Sequence, residues 1–434
     1  MSLPSEVNYT KAVELPASTR CMSVTSVPQQ GSGTFGAGQQ ITFPLLQGSG
    51  YIVPNSLVVS ATISYTVVGA TAANGILGSC PAAAWVSRLD SQINSQTVET
   101  INNYNTLYSM LVNAKMTPAD KLGLSKPFGL SFSTSDTVAT TAPSLVNGDA
   151  CIFAAGAGTN TLNGSFPLGC IFSSAQKFLP LAMGDSRITL TVDALANITF
   201  GADTLSALSI TNVQLNYDVI EFDPSTQALI MSQADAAGDL YFKSQSYAVS
   251  SSPIASGFVG QTEIPYAQNL TSIKSLYSVF TANTGNRGFA SYDATSQNGS
   301  LQYVVAGLPY PQTAIDTRNR PQYATLEFLA AVYGTKDPIV GCKTSMSNQT
   351  WQVADADPSN DSKVNVAKAY FGANTEKLSS NAYMLSGISS MNSNLSVRIV
   401  NNTALLSALN SIFIANYDAI IKYNVATRQV VVLK

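Results

Sequence analysis

Histidine is absent from this chain of 434 residues. That removes the commonest general base, the commonest metal ligand, and the Ser-His-Asp and Cys-His nucleophilic arrangements. Charge is scarce too: Asp, Glu, Lys and Arg supply only 11% of the residues, less than half of the usual ~25%. The first 40 residues carry only Glu6, Lys11, Glu14 and Arg20, so there is no basic arm to neutralise a nucleic-acid backbone. No Cys-x-x-Cys occurs. Cys21, Cys80, Cys151, Cys170 and Cys342 are odd in number and widely spread, as expected of reduced thiols packed as small hydrophobes. The opening Met-Ser-Leu-Pro-Ser-Glu has neither the basic nor the apolar region of a signal peptide. No apolar run approaches the ~18–20 residues of a membrane-spanning helix.

What replaces charge is Gly, Ser, Thr, Asn and Gln, beside a hydrophobic content of 45%. This mixture makes poor helices but good turns and exposed strand faces, and it is too apolar for disorder. The net charge of −3 is unevenly spread. Residues 1–223 hold 8 basic against 13 acidic side chains, and residues 224–434 hold 14 against 12. A large, weakly charged, β-prone surface fits a protein covered mostly by copies of itself.

The chain also repeats itself. Leu205-Ser-Ala-Leu followed by Asn216-Tyr-Asp returns as Leu406-Ser-Ala-Leu followed by Asn416-Tyr-Asp, and a period this long points to a duplicated domain rather than a solenoid. Element order repeats as well. Gln40-Ile-Thr-Phe-Pro is echoed by Gln261-Thr-Glu-Ile-Pro, the strand Leu57–Val67 by Ser272–Phe280, Ile188–Asp193 by Leu395–Val400, and Val213–Phe222 by Ile412–Tyr423. A helix is expected around residues 97–113, from the spacing of Val98, Ile101, Leu107 and Leu111. A second is expected at Ala324–Tyr333, capped by Gly334. A last strand at Gln429–Leu433 has no first-half partner. Residues 120–172 read as loops and short strands. Asp223-Pro224 is the best boundary, because proline restricts its predecessor and cannot continue a ladder. The expected organisation is an irregular arm at 1–38, a domain at 39–223, a linker at 224–240 and a second domain at 241–434.

Three motifs invite chemistry. Gly31-Ser-Gly33-Thr-Phe-Gly36 has the spacing of a phosphate-cradling turn, but it follows a Pro/Gln loop and precedes a strand, so it reads as linker. Asp355, Asp357, Ser359 and Asp361 space oxygens as in a calcium loop, yet Asn360 and Val366 stand where glycine and glutamate are needed. A solvated loop is expected. Aromatic platforms for sugars or bases need exposed rings. Only Trp85 and Trp351 are present, and tyrosines such as Tyr65 and Tyr217 alternate within strands. Sequons at Asn8, Asn197, Asn269 and Asn348 are expected by chance in so Asn/Thr-rich a chain. No catalytic, cofactor-binding or metal-ligating residue is assigned.

The order of elements resembles the double jelly-roll major capsid proteins of icosahedral viruses, of the polinton-like virus and virophage type. Four places carry the resemblance: Gln40–Leu45 with Tyr51–Val67; Ala83–Asp90 leading to Glu99-x-x-x-x-Tyr104; Leu308-Pro-Tyr-Pro before the helix Ala324–Tyr333; and the paired closing strands of each half. The resemblance implies an all-β fold with minor helices, built as two tandem eight-stranded jelly-roll sandwiches. It also implies homotrimers that tile a pseudo-hexagonal lattice in the virion. Implied partners are other copies, penton and minor capsid proteins, and an internal membrane beneath the shell. No enzymatic role, cofactor or sequence-specific nucleic-acid contact is expected, and synthesis is expected in the host cytoplasm. A minor or vertex capsid protein and a carbohydrate-binding or adhesive β-sandwich are the alternatives.

Overall fold

The computed structural model describes residues 19–31, 33–48, 50–68, 76–77, 80–130, 151–152, 158–200, 204–266, 268–282, 299–316, 321–334, 343–344, 370–376, 387–391, 393–405, 408–424, 427 and 429–434. The Asp355–Asp361 motif, Trp351, Asn8 and Asn348 lie outside them.

The first half contains β1 (Arg20–Ser26), β2 (Gln40–Pro44), β3 (Tyr51–Ile52), β4 (Val58–Val68), β5 (Ile76–Leu77), β6 (Val86–Ile93), β7 (Gln96–Asn102), β8 (Cys151–Ile152), β9 (Gly158–Pro167), β10 (Leu179–Pro180), β11 (Ser186–Val192), β12 (Thr199–Phe200) and β13 (Thr204–Glu221). Its helices are α1 (Tyr104–Lys115), α2 (Pro118–Gly123), α3 (Ser125–Phe128) and α4 (Leu195–Ile198). After α5 (Pro224–Ala237) come β14 (Asp239–Ile254), β15 (Gly260–Tyr266), β16 (Ile273–Ala282), β17 (Gly299–Val305), β18 (Leu308–Asp316), α6 (Pro321–Tyr333), β19 (Tyr370–Asn374), β20 (Leu395–Asn401), β21 (Leu409–Asn424) and β22 (Val430–Leu433).

The two halves share one topology. In the first, β1–β13–β4–β9 form one sheet, extended by β3 and β10, and β2–β11–β6–β7 form the other. In the second, β14–β21–β16–β19 face β15–β20–β17–β18, with β22 added beside β21. Each half is therefore an eight-stranded sandwich of two antiparallel four-stranded sheets. A three-stranded patch, β12–β5–β8, is appended to the first.

Alternation builds the cores. Along β4, Val59, Ala61, Ile63 and Tyr65 are buried while Ser60, Thr62 and Ser64 are not, the period of two that sends neighbouring side chains to opposite faces. β13 does the same with Leu215, Tyr217 and Val219. In the second half, Phe413 is fully buried, stacked on Tyr266 at 4.3 Å between centroids and tilted against Tyr303 at 6.1 Å.

The repeated Asn-Tyr-Asp does the same local work twice. The Asp218 N–H donates to Ser56 Oγ (3.1 Å), just ahead of β4. The Asp418 N–H donates to the Ser272 carbonyl (3.0 Å), just ahead of β16, and Ser272 Oγ donates back to the Asp418 carboxylate (3.0 Å). In both halves the motif ties the closing strand to the turn that opens its neighbour.

Three local expectations are corrected. The helix expected at 97–113 is a strand, β7, followed by α1 from Tyr104. Asn94 and Ser95 both take positive φ (51° and 64°), the two-residue hairpin turn whose twist matches paired strands, and it folds β-branched Thr97–Ile101 back on β6. The spacing of Val98 and Ile101 suited a helix, but the turn decided otherwise. Residues 20–26, read as irregular, form β1, which pairs with β13 from Ser26 opposite Leu215 to Arg20 opposite Glu221. The stretch from residue 120, read as loops and short strands, instead begins with helices, α2 and α3 lying within 118–128. The helix α6 and its cap stand as expected: Gly334 has φ +74° and donates to the Ala330 carbonyl at 2.9 Å. Gly31–Gly36 leads into β2, with Phe35 buried and bridged to Ile210.

Phe413→Ala is expected to cost about 3–5 kcal/mol, the usual loss for an aromatic removed from a packed core. Urea denaturation checks this, and a cost below about 1 kcal/mol would contradict its central place.

Candidate functional site at the seam between the halves

Among the described residues, a group of buried polar side chains lies where the two sandwiches meet. Its centre is Glu99 on β7, 0% exposed. Glu99 Oε2 accepts from Ser91 Oγ on β6 (2.8 Å) and from the Ile171 N–H (2.9 Å). Oε1 accepts from Ser246 Oγ on β14, in the other half. Burial pushes the Glu99 carboxyl above its ordinary value, against these three hydrogen bonds and the charge of Lys434, which lower it. Tyr104, Cys170 and Tyr417 are its other titratable neighbours. Burial raises all three, so none carries charge near neutral pH.

The loop after β9 is the second element of the seam. Its Gly169 N–H donates to the Tyr104 hydroxyl (2.9 Å), fixing it to α1. It then docks on β14: Ser244 Oγ donates to the Ile171 carbonyl (2.6 Å), the Gln245 N–H to Ser174 Oγ (3.2 Å), and the Gln176 N–H to the Lys243 carbonyl (3.0 Å). Beneath this strand Lys243 and Asp418, both buried, stand 3.7 Å apart.

A second polar bridge joins the helices. Thr117 and Asp120 form a capping box with Pro118 in the first turn, the sequence signature of a helix start. This sets Lys121, fully buried, so that Nζ donates to Asn113 Oδ1 (2.6 Å). Asn113 Nδ2 in turn donates to the Tyr370 hydroxyl on β19 (2.9 Å). Tyr333, from α6, donates to the Ala114 carbonyl of α1 (3.1 Å).

Glu99, Ser244, Ser246, Asn113 and Lys121 are buried, and hydroxyls and amides dominate their partners, a chemistry suited to cohesion. Among the described residues no group of three or more His, Cys, Asp or Glu could hold a metal ion. Cys80 and Cys170 are buried free thiols, and burial raises Cys80 to about 12. Trp85 is fully buried and packs edge-on against Phe166, so it offers no stacking platform. No helix is long and apolar enough to cross a membrane, among the described residues. Glu99 and Tyr104 belong to the Glu-x-x-x-x-Tyr pattern noted above, but the spacing gave neither of them a role. The available signal was an acidic residue set alone inside a β-branched run.

No family model and no curated protein matches the sequence. Solved structures do match the fold over almost the whole chain. The Faustovirus major capsid protein superposes with a TM-score of 0.57 at 11% identity, covering 95% of this chain and 92% of that one. The capsid of PBCV-1 virus gives 0.58 at 11%, covering 95% and 97%. The mavirus major capsid protein gives 0.51 at 13%, covering 100% and 95%. This chain is a double jelly roll. The resemblance to double jelly-roll major capsid proteins is thereby borne out at the level of the fold. At such identities the likeness is one of backbone fold.

Because burial raises the carboxyl of Glu99 in the folded state, its stabilising contribution is fully present below the unfolded value of ~4.3 and is lost as pH rises through the folded one. Glu99→Gln is expected to raise the unfolding midpoint at about pH 8, since an amide can accept from Ile171 and donate to Ser246 without a buried charge. The advantage should shrink as pH falls towards about 5. Thermal unfolding across that range checks it, and an unchanged difference between variant and parent at every pH would refute the assignment.

Proposed function

We propose that this chain is a viral major capsid protein, a structural subunit that self-assembles as homotrimers with a pseudo-hexagonal outline and tiles an icosahedral shell. The observation that carries this reading is the pair of topologically identical eight-stranded sandwiches, joined by a seam of buried polar contacts. Three such pairs around an axis present six like corners, and closed symmetry is the ordinary outcome for self-complementary surfaces. The scarcity of charge supports it, since covering a surface with copies costs little when few charges must be desolvated.

In this reading the role is architectural rather than catalytic. The partners are other copies, penton and minor capsid proteins, and a membrane beneath the shell. Synthesis takes place in the host cytoplasm and the mature location is the virion. The division into two folding units is part of the same proposal: the first runs to residue 223, the linker 224–240 holds α5 (Pro224–Ala237) and the first residues of β14, and the second unit follows from 241, with residues 1–38 as an N-terminal arm that includes β1.

Light scattering of the purified protein at micromolar concentration is expected to give a particle of three chains of 45.6 kDa each, and negative-stain images to show hexagonal blocks. A monodisperse monomer overturns the proposal. Selective glycan binding by that monomer points to an adhesive β-sandwich instead, and trimers present at only a few copies per particle point to a minor capsid protein.

A further inference from the structure

One sheet face of the first jelly roll differs from every other open face of the molecule. It is the outer face of β1–β13–β4–β9. Ser60, Thr62, Ser64 and Thr66 of β4 point outward, opposite Ser165, Asn163, Thr161 and Thr159 of β9. The hydroxyls and amides pair across the strands: Ser60 with Ser165 at 2.9 Å, Thr62 with Asn163 at 2.8 Å. The outward positions of β13 from Ala207 to Asn216 continue the pattern, and Thr25 of β1 donates to Asn216 at 2.7 Å. No Lys, Arg, Asp or Glu stands on this face until Asp218, at its margin.

The other exposed sheet faces do carry charge. Glu263 and Arg398 pair across β15 and β20 at 3.4 Å. Arg88 pairs with Asp90 on β6 at 2.8 Å, and Arg187 with Asp185 beside β11. The counterpart of the uncharged face in the second jelly roll is covered by α6, with Phe328 against Tyr277 and the Tyr277 hydroxyl donating to the Ala331 carbonyl at 3.0 Å. A solvated surface ordinarily holds about a quarter to a third charged residues. Only this open face lacks them, among the described residues.

We infer that the outer face of β1–β13–β4–β9 is an interaction surface whose occupant is a second copy of this chain. The inference rests on the reading of the chain as a self-assembling subunit, and names the surface that reading left open. Hydroxyl and carboxamide groups both donate and accept, so such a face is complementary to uncharged polar surface on an identical molecule and exchanges water for protein at small net cost. A charged side chain in the same place would have to be desolvated without a partner. The chemistry disfavours other occupants: there are no cations for nucleic acid or anionic lipid, no exposed rings for a sugar, and no apolar patch for a bilayer. Four strands at ~4.8 Å spacing and about ten residues of ~3.3 Å rise outline on the order of 600 Å². Side-chain relief brings that near the ~800 Å² each partner gives to a specific interface.

The test is a charge insertion. Thr62→Glu with Thr161→Glu places two carboxylates diagonally on the face, and Thr62→Gln with Thr161→Gln is the uncharged control. A charge on a different face, Gln261→Glu on exposed β15, controls for charge alone. Sedimentation at low salt is expected to show the Glu variant folded but requiring roughly tenfold or more protein to assemble, with recovery in high salt, while both controls behave as the parent. If the parent assembles and the folded Glu variant assembles equally well, this inference fails and the capsid reading stands. If the parent never assembles, the capsid reading itself fails. Should the Glu variant not fold, Thr161→Cys decides, made with Cys21→Ser because Cys21 is an exposed free thiol: maleimide modification read at position 161 is expected to slow at least tenfold on assembly, and an unchanged rate overturns the inference.

Discussion

A carboxyl group held out of water must collect hydrogen bonds from its surroundings or unfold them. Glu99 collects three, and each comes from a different piece of chain: Ser91 of β6, the Ile171 amide of the loop after β9, and Ser246 of β14. Satisfying it therefore requires the hairpin, the loop and the second sandwich to be in place together. An apolar seam would tolerate sliding by an ångström or more. Hydrogen bonds lose their value over that distance, so the polar seam fixes register between the halves as well as attraction.

From that constraint the rest of the architecture follows in order. The loop can reach β14 only because Tyr104 pins Gly169 and α1 lies against the first sandwich. β14 can present Ser244 and Ser246 only because it pairs with β21 along its whole length, from Asp239 to Ile254. At the helices, Asn113 and Tyr370 repeat the device with neutral groups. Two sandwiches of one topology are thereby joined along the seam.

Much of the fold was legible in the letters, and for physical reasons. The alternation along Val58–Val68 and Thr204–Glu221 marks a half-buried strand wherever it occurs. The duplicated Asn-Tyr-Asp marks equivalent places because the same closing strand is tied to the same turn in each half. The first hairpin was missed because its turn uses Asn94 and Ser95 with no glycine to announce it, and β1 because a single edge strand gains its structure from β13 rather than from its own pattern. The seam was less legible. Glu99 looks like any surface acid until Ser246, 147 residues later, arrives beside it. The uncharged face was hidden in the low overall charge, since only strand register shows that the missing charges are missing from one side.

Native-state hydrogen exchange measures the rigidity of the block most directly. The amides of Ile171, Gln176 and Gln245 each donate across the seam or into its centre. If the two jelly rolls open only with global unfolding, these three exchange as slowly as amides in the middle of β13 and β21. If they exchange orders of magnitude faster than those strands, the halves part on their own and the chain is two loosely tethered sandwiches rather than one building block.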